Sequence, residues 1–262
     1  MNVDVDDVGP AYSSWDTSTH GPEPRPDWVV TELSAVDTEL GILKTGKEAD
    51  VHLVRRGVPG GRDCLLAAKR YRAAEHRMFH RDAGYTEGRR VRRSRETRAM
   101  ANRTEFGRDL LSGQWSAAEF AALSALWLAG APVPYPVQIN GRELMLEFIG
   151  DESGQAAPRL AQVRPEPDEL GDLFEQCTAA MHCLALAGYA HGDLSPYNLL
   201  VHDGRLVMID LPQIVDLAAN PTGPDFLRRD CENVCNWFAR RGLDVDLEHL
   251  FGDLMAEAVG GW

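Results

Sequence analysis

The sequence predicts an α+β protein of two lobes, a small β-rich N-terminal lobe and a mainly helical C-terminal lobe. Three observations predict it. Runs of β-type residues crowd the first half, ELGILKTG (39–46), ADVHLVRRG (49–57) and DCLLAAKRY (63–71), parted by turn-forming Gly and Pro. Beyond Pro167 the apolar residues recur at helical spacing instead. Among those helices stands one short hairpin, HGDLSPYNLLV (191–201) followed by RLVMID (205–210), which carries His191, Asp193, Asn198 and Asp210.

A chain of 262 residues has ample material for a core, and 44% hydrophobic content is ordinary for a globular protein. The net charge of −13 argues against indiscriminate binding to nucleic acid or membrane. No apolar run approaches the roughly 20 residues that span a bilayer. The N-terminus, MNVDVDDVGP, lacks the basic and then apolar pattern of a signal peptide. With no secretory signal, the five cysteines read as reduced thiols in a cytoplasmic protein. Cys231 and Cys235 lie four apart with no second Cys or His pair to complete a zinc site, so they read as buried helix residues.

Residues 1–30, rich in Asp, Pro, Ser and Thr, read as a flexible tail from which Trp15 and Trp28 dock onto the body. Residues 31–149 form the N-terminal lobe and 150–262 the C-terminal lobe. In the first β turn, Thr45-Gly46-Lys47-Glu48, Gly46 permits close approach of backbone N–H groups to phosphate oxygens. Gly41 to Lys47 also reads G-x-x-x-x-G-K. Glu48 stands where a Walker A loop needs Ser or Thr, however, and a strand follows rather than a helix, so that reading is rejected.

Lys69 ends the third strand. The helix WSAAEFAALSALWLAG (115–130) carries an apolar stripe at Trp115, Ala118, Ala122, Leu123 and Leu126, and Glu119 falls inside it. A carboxylate on a buried face is costly unless paired, and Lys69 is the partner expected. Between them lies an Arg-rich mobile insertion, about 72–112. From Arg70 to Arg108 twelve arginines face five acids, which suggests contact with an acidic partner such as RNA. ELMLEFIG (143–150) is a buried strand leading to a hinge. A helix from Pro167 to Gly188, with its stripe at Leu170, Leu173, Phe174, Cys177, Met181 and Leu184, delivers the chain to His191. A helix from about Thr222 or Asp225 and a last one at about 246–258 complete the chain.

The turn His202-Asp203-Gly204 folds the hairpin so that Asn198 and Asp210 meet at its open end. An amide oxygen and a carboxylate suit a hard cation such as Mg²⁺. Asp193, on the entering loop, is then free to orient a hydroxyl or take its proton. This H-x-D-x-x-x-x-N arrangement with a following Asp is that of phosphoryl transfer in protein kinases.

TGKEADVHLV, AAKRYR, LEFIG, HGDLSPYNLLV, VMIDLPQ and FLRRDCENVCNWF together resemble the RIO atypical serine/threonine protein kinases, in the branch without a winged-helix domain. The resemblance runs from about residue 40 to 240 and implies a protein kinase-like fold. It implies Asp193 as the catalytic aspartate, Lys69 as the phosphate-anchoring lysine paired with Glu119, and Asn198 and Asp210 as metal ligands. Gly46, Lys47, Glu48, Leu146, Glu147, Ile149 and Ser195 would contact the nucleotide. The cofactors implied are ATP and Mg²⁺, with Mn²⁺ as a substitute, and the partners a protein substrate or the chain itself. Some members form an aspartyl-phosphate while acting as ATPases in ribosome maturation. That makes Asp210 a candidate catalytic phosphate acceptor and the 70–108 segment a candidate RNA or ribosomal-subunit contact. Pro196, Tyr197 and Pro212 depart from the family's usual residues. Two rivals stand beside this reading, an ATPase assembly switch and a small-molecule kinase of the aminoglycoside or choline type. Only about 50 residues follow Asp210, fewer than the latter's substrate lobe requires.

Overall fold

The structure, a computed structural model, describes residues 11–72, 105–212 and 214–260, and of residues 105–112 the backbone alone. The N-terminal lobe is built on β1 (Ala11–Tyr12), β2 (Thr19–His20), β3 (Val36–Thr45), β4 (Ala49–Gly57), β5 (Asp63–Tyr71), β6 (Pro136–Asn140) and β7 (Glu143–Glu147). These form one antiparallel sheet in the order β1-β3-β4-β5-β7-β6-β2. The long helix α1 (Glu105–Leu128) packs against it. The C-terminal lobe holds α2 (Pro167–Leu186), α3 (Gly223–Ala239) and α4 (Leu247–Gly260). Two small ribbons accompany them, β8 (Tyr189–Ala190) with β11 (Val215–Asp216) and β9 (Leu199–His202) with β10 (Arg205–Met208). Strands before helices, one layer on the other, give the two-lobed kinase-like α+β fold. Among the described residues no helix is long and apolar enough to cross a membrane.

The main core lies in the C-terminal lobe. There Leu173, Cys177, Met181 and Leu184 of α2 meet Leu227, Cys231, Val234 and Phe238 of α3 and Leu250 and Leu254 of α4. All three cysteines in this cluster are buried, and burial pushes their thiols up, Cys231 to about 12. A second cluster fills the back of the sheet and includes Trp15, Val29, Val54, Leu66, Tyr135 and Met145.

The expected flexible tail is corrected for residues 11–30. Strand β1 pairs with β3, and β2 pairs with β6, so this stretch lines both borders of the sheet. Composition argues for a loose tail because apolar residues are few there, yet the few are well placed. Trp15 is 8% exposed and stacks on His20 at 3.8 Å, while Val29 and Val30 are fully inside. Polar groups complete the attachment. Gln138 donates to the hydroxyls of Ser14 and Ser18, and the buried Arg56 donates to Gln138 and to Asp37.

Two further boundaries differ from expectation. Helix α1 starts at Glu105, ten residues before Trp115, so the end of the expected insertion is helical. Its buried face is centred on Ser116, Glu119, Leu123 and Leu126 rather than on Trp115, Ala118 and Ala122, which are half-buried. Most of the Arg-rich segment, 73–104, lies outside the described residues. Of its start, Arg70 pairs with Glu39 and Glu143, and Arg72 with Asp50.

Candidate active site

Alternation along β5 sends Lys69 and Tyr71 to the same face, toward α1. Lys69 Nζ lies 2.7 Å from Glu119 Oε1, and the Tyr71 hydroxyl donates to Glu119 Oε2. Glu119 is 1% exposed, so a carboxylate taken fully from water is held by one ammonium and one phenol. Burial and the Glu119 charge push the Tyr71 phenol far above its ordinary value, which keeps it a donor.

Lys69 also reaches across the lobes to Asp210 Oδ1 at 2.9 Å, and Lys44 reaches Oδ2 of the same carboxylate at 3.2 Å. Burial alone would lower Lys69, but the charges of Glu119 and Asp210 outweigh it and raise the ammonium above its usual range. For Asp210 burial acts upward, and Lys69 and Lys44 outweigh it, so its carboxyl sits well below the usual carboxylate range.

The hairpin delivers Asp210 by plain β geometry. Asp203 and Gly204, at φ +50° and +73°, form the two-residue turn, and His202 faces Arg205. At the open end the Ile209 amide donates to the Asn198 carbonyl at 2.9 Å. His191 Nε2 lies 3.1 Å from the Ile209 carbonyl. Asp210 then turns out of the strand at φ +67°, a left-handed conformation rare for a residue with a side chain.

The loop from His191 to Asn198 is fixed from beneath. Asp230 of α3, 1% exposed, accepts the Gly192 and Leu194 amides, each at 2.8 Å, and Asn233 donates to the Leu194 carbonyl. Burial pushes the Asp230 carboxyl up, against the pull of His191 and the two amides. Within the loop Asn198 Nδ2 donates to the Asp193 carbonyl at 2.9 Å, and the Asn198 amide donates to the Ser195 carbonyl. Asp193 is exposed, and Ser195 is half-buried.

The other expected residues take up the sheet's turn and hinge. In the β3–β4 turn the Gly46 amide donates to the Ala49 carbonyl at 3.0 Å, and a Cβ on Gly46 would come within 2.8 Å of that oxygen. Lys47 is exposed, and the Glu48 carbonyl accepts the Arg72 amide. Leu146 and Glu147 end β7. Glu147 gives its amide to the Tyr135 carbonyl and takes the Tyr135 amide on its carboxylate. The Ile149 carbonyl accepts the Ala157 amide.

Lys69 thus touches both Glu119 and Asp210, and the hairpin joins Asp210 to Asn198 and the Asp193 loop. Lys44, Tyr71 and Asp230 also belong to this arrangement, although no sequence motif names them. Tyr71 follows Lys69 by two in a strand, and Asp230 sits inside the apolar stripe of α3, so each carried the kind of signal that marked Glu119. The donors suit a hard cation. Asn198 Nδ2 is committed to the Asp193 carbonyl, which leaves its amide oxygen as the group it could offer such a cation alongside the Asp210 carboxylate. Among the described residues no group of three or more His, Cys, Asp or Glu could hold a metal by itself. A cation held by Asn198 and Asp210 would complete its shell with other oxygens, from water or from a phosphate.

Comparison with known proteins agrees with this geometry. The RIO domain family matches residues 66–250. A Haloferax volcanii protein named RIO-type serine/threonine-protein kinase Rio1 is 38% identical over 231 residues, covering 86% of this chain and 70% of its own length. The Schizosaccharomyces pombe serine/threonine-protein kinase rio1 is 29% identical over 237 residues, and the Caenorhabditis elegans RIO1 kinase 31% over 231. The chain spans only 43% and 42% of the length of these two. With the domain matched over most of its length and a relative this close, the chain belongs to the RIO-domain family.

Proposed function

We propose that this chain is an atypical serine/threonine protein kinase that moves the γ-phosphate of ATP to a Ser or Thr hydroxyl, including its own. The observation that carries the proposal is the buried Lys69 bridging Glu119 of the helix and Asp210 of the hairpin, 2.7 and 2.9 Å away. Such a lysine is oriented across the cleft and charged, ready to meet phosphate oxygens. In this reading the Glu147 carbonyl and the Ile149 amide receive the adenine, with Leu146 against it. Gly46, Lys47 and Glu48 fold over the phosphates, and Ser195 meets the nucleotide from below.

Asp193 orients the acceptor hydroxyl. Its oxygen attacks the γ-phosphorus, the bond to the β–γ bridging oxygen breaks, and the hydroxyl proton passes to the Asp193 carboxylate. A divalent ion, Mg²⁺ in this reading, held by Asn198 and Asp210, would neutralise charge on the phosphates. The protein's own contribution is alignment and electrostatics. Residues 31–149 and 150–262 serve as the lobes on either side, and the arginines of 73–104, by their charge, suit an acidic partner such as RNA.

The test is incubation of the protein with γ-labelled ATP and Mg²⁺. Acid-stable label that resists hydroxylamine is expected, and Asp193→Asn should abolish it while ATP affinity stays within about two-fold. Undiminished transfer in that variant would refute the assignment. Hydroxylamine-labile label would instead indicate an aspartyl-phosphate.

A further inference from the structure

Lys44 has no part in the phosphate machinery outlined above, yet it contacts the carboxylate at its centre. Register explains how it arrives there. Strand β3 pairs Ile42 with His52 and then Lys44, not Leu43, with Val51, so one extra residue is accommodated between them. Val51 in turn pairs with Lys69. Directly opposed residues in a sheet share a face, so Lys44 and Lys69 stand in one row on either side of Val51. Without the irregularity Leu43 would face Val51, and Lys44 would take the opposite face. The bulge thus places a second lysine over Asp210.

The two lysines are not equivalent. Lys69 is buried and tied also to Glu119, whereas the Lys44 side chain is 38% exposed and its ion pair is with Asp210 Oδ2. Of the two contacts on Asp210, that of Lys44 is the one that can be given up without leaving a buried charge unpaired.

We propose that Lys44 is a stand-in cation, which occupies Oδ2 of Asp210 in the metal-free protein and is displaced when a divalent metal binds there. This rests on the reading of Asp210 as a metal ligand. A cation bound to Oδ2 and an ammonium in contact with the same oxygen repel at close range, so the metal enters as Lys44 leaves. Until then the carboxylate stays neutralised by the two lysines.

Mn²⁺ alone is the probe, titrated without nucleotide into the full chain and followed by electron paramagnetic resonance. Lys44→Met should tighten Mn²⁺ binding by about three-fold or more, the scale of a partly exposed ion pair. Lys44→Arg, which keeps the charge, should stay near the parent protein. Lys47→Met, which removes an equal charge from the neighbouring turn, should change it by less than about two-fold. Melting gives an independent readout. Lys44→Met should melt lower than the parent without metal, and the gap should close at saturating Mn²⁺. Asp210→Asn separates the two layers of the argument. If it abolishes Mn²⁺ binding but Lys44→Met leaves binding unchanged or weaker, the stand-in role is wrong and the ligand reading stands. Equal tightening by Lys47→Met would also overturn it, as a field effect. If Asp210→Asn binds Mn²⁺ like the parent, or neither the parent nor Lys44→Met binds it, the ligand reading falls and the stand-in role with it.

Discussion

Replacing Asp230 by Ala removes the carboxylate on which the loop carrying Asp193 and Asn198 rests. Two amides, those of Gly192 and Leu194, each lose an acceptor at 2.8 Å. A buried donor left without a partner costs about 1–3 kcal/mol, so two cost about 2–6 kcal/mol. Burying Asp230 is itself unfavourable, since its carboxyl is pushed up by desolvation, and its removal offsets part of the loss. The lower half of the range, about 2–4 kcal/mol, is therefore expected. At about 2–4 °C per kcal/mol for a chain of this size, the melting temperature should fall by roughly 4–16 °C. Function should fall further than stability alone requires. The loop loses its support while the nucleotide groups around Lys69 and Glu147 are untouched, so kcat should drop by about ten-fold or more with little change in the KM for ATP. Urea unfolding and steady-state kinetics below the melting range separate the two effects. A loss under about 1 kcal/mol with unchanged kcat would show that the His191–Ile209 contact and the hairpin hold the loop unaided, and would refute the reasoning.

Tyr71→Phe leaves Glu119 Oε2 buried without its phenol donor and should cost about 1–3 kcal/mol in urea unfolding; a cost below about 0.5 kcal/mol would mean that Lys69 alone satisfies the carboxylate. Asp210 has a folded-state carboxyl below the 3.8 of the unfolded chain, because Lys69 and Lys44 outweigh its burial. Its ionisation therefore contributes stability that is fully present above about pH 4 and is lost as pH falls through the folded value. Unfolding measured downward from about pH 6 should show a shallower acid loss for Asp210→Asn, and parallel curves would contradict the clamp. Trp15→Ala empties a site in the second core cluster and removes the stack on His20. The expected cost is about 3–5 kcal/mol by calorimetry, against almost nothing for an unattached tail.

What could be read from the chain depended on whether a residue's environment was set locally. Glu119 stood out because a charged group interrupted an apolar stripe, and the Asn198–Asp210 spacing followed from a hairpin whose two-residue turn is written in Asp203 and Gly204. The same stripe argument applied to α3 singles out Asp230, between Leu227 and Val234, but its amide partners lie 36 and 38 residues away and carry no local mark. Lys44 could not be placed from alternation, because a bulge reverses the parity of β3 between Ile42 and Lys44. Residues 11–30 depart from the expectation for a different reason. Composition averages over a window, whereas Trp15, Val29 and Val30 bury as single anchors into a surface made by distant strands.

That N-terminal stretch has a consequence for how copies of the protein behave toward one another. The sheet ends in β1 on one side and β2 on the other, each two residues long and both supplied by residues 11–20. Short terminal strands are poor templates for another chain's backbone, whereas β3, ten residues long, and β6 would be good ones. A single cut ahead of residue 31 would strip the paired neighbours from Val36 and Asp37 on one flank and from Gln138 and Ile139 on the other at once. A shortened protein would then be prone to polymerise strand on strand, a colloidal failure that a measurement of folding free energy would miss.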